Sequence, residues 1–109
     1  MAWLHVVSYF FGGVFLANAL PHLVSGMMGE SFQSPFANPP GKGLSSSTVN
    51  VLWGFVNLCI GYLLICHIGE FDLKITIDAV ALGAGVLVIG LVLARQFGRL
   101  HGGNNPGQA

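Results

Sequence analysis

The sequence predicts an all-α integral membrane protein, with three transmembrane helices in an up-down-up bundle and a long ordered loop between helices 1 and 2. Three observations carry that expectation. Only 7% of the 109 residues are charged, 53% are hydrophobic and the mean hydropathy is +0.72, whereas an ordinary soluble domain is about 25% charged. The apolar residues fall in three runs, each long enough to cross a bilayer core of about 30 Å as a helix. The middle run, Val49 to Ile68, carries Asn50, Gly54, Asn57 and Gly61, which lie within about 60° of one another at 100° per residue. A stripe of amides and glycines cannot face lipid cheaply, so it marks the inside of the protein.

The first run, residues 2–24, is about 34 Å of helix and starts with Trp3 as an interfacial anchor. Gly12 and Gly13 suit close approach of neighbouring helices. Phe11, Phe15, Asn18 and His22 repeat the spacing of the middle run and share one face. Pro21 has no N–H for the carbonyl of Ala17, which needs another donor. No basic region precedes this run and it exceeds a signal-peptide core, so it reads as a span that stays.

Residues 25–48 show neither helical nor strand period and are rich in Gly, Pro and Ser, yet they carry Met27, Met28, Phe32, Phe36 and Leu44. That is too apolar for a solvated linker. The segment is expected to fold back on the membrane surface, with Phe32 and Phe36 turned toward helices or headgroups and Pro35, Pro39 and Pro40 stiffening it. Whether it is functional or only a cap stays open. Residues 45–48 offer hydroxyls to cap the second span, 49–68.

Residues 69–74 form a tight connection that makes the third span, 75–94, adjacent and antiparallel to the second. Asp72 is its expected N-cap, with Asp78 near the positive end of the helix dipole. Ala79, Gly83 and Gly90 share one face, and Ala81 with Gly85 forms a second small pair; both read as packing surfaces. Arg95 and Arg99 follow, and within the polar tail over 98–109 the part from His101 to Ala109 is expected to be disordered. The whole chain makes a single domain.

Four acids balance four bases, so a nucleic-acid partner is excluded as an expectation. The expected partners are the lipid bilayer and either further copies of the chain or a larger membrane protein. Lys42, Arg95 and Arg99 fall on one side and Lys74 on the other. The positive-inside rule then puts the amino terminus outside and the carboxyl terminus in the cytoplasm of a cell with an inner membrane. Cys59 and Cys66 are about 10 Å apart along one helix, too far to bridge. They point away from the amide stripe, toward lipid or a partner.

Threading places His22 and Asn50 in one layer near Arg95, with Asn18 and Asn57 deeper. These five residues are the candidate ligand-binding set, roofed by the Phe- and Pro-rich loop. The bland reading is that the amides only hydrogen-bond across helices and set register, each contact worth about 0.6 to 2 kcal/mol. His5 and His67 meet at the opposite surface with Cys66, Glu70 and Asp72 nearby, side chains able to hold a transition metal or a haem. No Cys-x-x-Cys or paired-histidine helical spacing supports that site, and the sequence points to no resident cofactor. There is no nucleophile elbow, carboxylate pair or phosphate-cradling loop, so an enzyme would need His22 as its base.

The blocks His22-Leu-Val-Ser-Gly26, Ser34-Pro-Phe-Ala-Asn-Pro-Pro-Gly41 and Asn50-Val-Leu-Trp-Gly54 resemble a pattern in small uncharacterised bacterial multi-pass membrane proteins. The resemblance covers roughly the first half of the chain and implies an inner-membrane location with no activity attached. The leading expectation is therefore a non-catalytic accessory or interaction subunit of a membrane assembly. A small transport or binding module using the Asn/His pocket comes second, and a haem- or metal-binding redox subunit third.

Overall fold

The computed structural model describes residues 2–108 and is mostly helical. Helix α1 spans Ala2–Met27, α2 Ser47–Cys66 and α3 Thr76–His101. All three are long and apolar enough to cross a membrane. Two short strands, β1 (Phe32–Gln33) and β2 (Leu44–Ser45), pair antiparallel between α1 and α2, with Phe32 opposite Ser45 and Gln33 opposite Leu44. The sequence shows no strand period there, because a ladder of two residues per strand is too short to have one.

Helix α1 packs against both other helices, while α2 and α3 barely touch each other. The molecule is accordingly thin, 45 × 31 × 22 Å. Contacts between α1 and α2 run in opposite senses along the chain: a Cβ on Gly12 would meet Ile65 and the Gly61 carbonyl, and one on Gly26 would lie 2.6 Å from the Ser47 carbonyl. The predicted stripe of Asn50, Gly54, Asn57 and Gly61 is buried in this seam. Helices α1 and α3 run in the same sense, with Val6 and Tyr9 bordering one cavity with Ile77 and Asp78 near their starts and the rings of His22 and Phe97 6.4 Å apart near their ends; between these, Gly13 lies against the Leu82 carbonyl and Gly85 against the Phe10 carbonyl. Absence of a side chain at these crossings lets the backbones approach closely.

The helix ends differ from the expected ones for physical reasons. Helix α1 runs three residues past Val24, and α2 starts at Ser47, where the Ser46 hydroxyl accepts from the Val49 amide at 3.2 Å. Helix α3 does not stop at Ala94, where its apolar run ends. Arg95, Gln96 and Arg99 are good helix formers, and the helix continues to His101, ending at Gly102 in the left-handed region at φ 81°.

The polar tail is thus helical over residues 98–101, and of the stretch expected to be disordered His101 is the last residue of α3. Beyond it, Asn104 Nδ2 donates to the Arg95 carbonyl at 3.1 Å, and residues 106–108 form a 3-10 turn. Asp72 is not the N-cap of α3: Ile75 holds that position without a side-chain bond, and Asp72 Oδ1 instead accepts from the Lys74 amide at 2.9 Å. Helix α1 continues through Pro21.

Candidate ligand pocket at the hairpin end

The β1–β2 hairpin sits over the end of α1, next to the start of α2 and the end of α3. Its anchor is Asn50, which is fully buried. Asn50 Nδ2 donates to the carbonyls of Phe32 at 3.1 Å, Ser45 at 3.2 Å and Ser46 at 3.0 Å. Two hydrogens serve three carbonyls, so one of them is shared. With its nitrogen committed, the Asn50 amide can only accept at Oδ1, and His22 Nδ1 lies 2.7 Å away. His22 therefore carries its proton on Nδ1 and donates it to Asn50.

His22 is 3% exposed and boxed in by aromatic edges. Phe32, Phe97 and Trp53 lie at centroid distances of 5.6, 6.4 and 6.5 Å. One layer deeper, Asn18 Nδ2 donates to Asn57 Oδ1 at 2.9 Å, and Asn57 Nδ2 to the Trp53 carbonyl at 2.8 Å. The His22–Asn50 and Asn18–Asn57 bonds both cross from α1 to α2, as the common face of Asn18 and His22 anticipates. The hairpin is pinned on its other side by His101 Nε2, 2.8 Å from Gln33 Oε1, and by the hydroxyls of Ser34 and Ser45, 2.5 Å apart.

A cavity of about 180 Å³ opens between these elements, lined by Asn18, His22, Gln33, Ser34, Gln96 and Phe97 among others. Of the five residues of the expected ligand set, Asn18 and His22 reach it. Asn50 and Asn57 stand behind it and hold α1 to α2. Arg95 is exposed and is not part of the lining. Gln33, Ser34, Gln96 and Phe97 were not anticipated: the first two come from an aperiodic segment, and the last two lie beyond the apolar run of the third span. Phe97 and His101, four apart on α3, were the one available sign that its polar extension has an inward face.

At the opposite end His5 and His67 do line one cavity, of about 700 Å³, together with Tyr9, Cys66, Glu70 and Asp78. His67 Nε2 is 3.1 Å from the Tyr62 hydroxyl, and its ring packs against Tyr62 at 5.2 Å. Among the described residues no three His, Cys, Asp or Glu side chains come together as a metal set. Asp72 is not part of this lining. Comparison of the chain with protein-family models, with curated proteins and with solved structures finds no match.

Proposed function

We propose that this is a non-catalytic integral membrane protein that works as an accessory or interaction subunit, threaded up-down-up through an inner membrane. In this reading the hairpin, Lys42 and the Arg95–Arg99 end of α3 face the cytoplasm, and the amino terminus and Lys74 lie outside. The observation that carries the reading is α3. Only 17% of its most apolar window is buried, and a Cβ on Gly83 or on Gly90 would meet nothing within 4 Å. Of its two small-residue patterns, Ala81 and Gly85 are used against α1, which leaves Gly83 and Gly90 for a helix from another chain. Glycine in a membrane helix costs little and permits backbone contact with such a neighbour. A second copy of α3 is the simplest occupant.

Gly83→Leu tests this directly, because the open space at that position lets the single chain fold unchanged. Native mass spectrometry of the wild type from gentle detergent should give an oligomer, and Gly83→Leu should shift it to monomer. A wild type that stays monomeric, with no co-purifying membrane chain, would overturn the proposal.

A further inference from the structure

The His22 ring has two nitrogens and the fold uses one. Nδ1 is spent on Asn50, which leaves the Nε2 lone pair of the neutral ring as an acceptor. Among the described residues no donor reaches Nε2, yet no buried side-chain nitrogen or oxygen is left without a partner. Nε2 therefore keeps accessible surface, and the cavity is the space that the His22 side chain borders. Gln33 repeats the pattern with the opposite sign. It is 6% exposed, its Oε1 accepts from His101, its amide nitrogen has no protein partner among the described residues, and the residue borders the same cavity. His22 and Gln33, both more than nine-tenths buried, thus keep one acceptor and one donor uncommitted beside this cavity.

The rest of the lining sets the size and charge of what fits. It holds no Asp, Glu, Lys or Arg, so an ion would enter without a counter-charge at high desolvation cost. A single imidazole among amides is no metal chelate. A volume of about 180 Å³ is close to the roughly 150 Å³ cavity known to admit benzene, and Phe97 and Pro35 supply apolar walls. A hydroxyl both donates and accepts, which matches His22 Nε2 and the Gln33 amide at once.

We propose that this cavity is a binding site for a neutral phenolic hydroxyl on a single ring, donated to His22 Nε2 and accepting from the Gln33 amide. The same chemistry is carried by a membrane quinol head and by a free phenol. The site does not depend on α3 finding a second copy.

The test is fluorine NMR of the full chain in lipid nanodiscs with para-fluorophenol, using para-fluoroanisole as the matched ring without a donor. The phenol should bind at least about tenfold more tightly than the ether, since loss of one hydrogen bond to a buried acceptor amounts to about that factor. His22→Phe should abolish the preference. Because that variant also strips Asn50 of its donor, Gln96→Phe provides a second test: Gln96 makes no side-chain hydrogen bond among the described residues, and the added ring fills the cavity. It too should remove binding while the chain remains folded.

Displacement of para-fluorophenol by a benzoquinol with one isoprenoid tail assigns the membrane source; binding of the phenol without displacement assigns the soluble one. Equal affinity for phenol and ether, unchanged binding in Gln96→Phe, or no binding at millimolar phenol overturns the site.

Discussion

The two ends of the helices hold similar chemistry under very different constraint. At the hairpin end, His22 has its tautomer dictated by Asn50, and Asn50 is in turn committed by three carbonyls. At the other end, His5 and His67 border a cavity nearly four times larger, about 700 against 180 Å³. There the one histidine side-chain bond among the described residues is to the exposed Tyr62. The comparison teaches that a site is made by what restricts its side chains, since a histidine with a free ring presents no defined donor or acceptor. Buried polar groups must be paired, and the pairing leaves a specific atom over; exposed groups pair with water and leave nothing specified.

The contrast can be broken by mutation, and the largest effect is expected at its centre. Asn50→Leu takes the partner from His22 Nδ1 and from buried carbonyls, each worth about 1 to 3 kcal/mol when left unpaired. Thermal unfolding in detergent should show a loss of about 3 kcal/mol or more, together with release of the hairpin to proteolysis. A loss under about 1 kcal/mol would mean that the network is not what holds the hairpin. Asn57→Leu removes one interhelical amide bond in the deeper layer and should cost about 1 to 2 kcal/mol, within the range for such bonds in membranes.

At the opposite end, His67→Phe keeps the ring against Tyr62 and loses only an exposed bond. Its effect on the same melting curve should stay within about 0.5 kcal/mol. A larger loss there than in Asn57→Leu would invert the comparison.

Part of this site was legible along the chain. The line of Asn50, Gly54, Asn57 and Gly61 repeats at helical spacing inside an apolar run, so its burial follows from periodicity alone. The same holds for Asn18 and His22 on one face of α1. Arg95 was drawn into the expected ligand set by its depth in the membrane, but depth says nothing of azimuth, and on α3 it faces outward. Gln33 gave no periodic signal at all. Its place in the cavity depends on a pairing with Leu44 across eleven residues and on His101 across 68, and neither can be read from local pattern.

The sequence alone determined that three stretches are apolar enough to span a bilayer and which face of the middle one turns inward, because both are properties of composition and helical repeat. Only the tertiary structure decided that Asn50 would anchor a hairpin, that His22 would spend Nδ1 on it and that His22 would border a cavity. Those outcomes depend on hydrogen bonds between segments distant in the chain, and the direction of a side chain in three dimensions is not encoded in spacing.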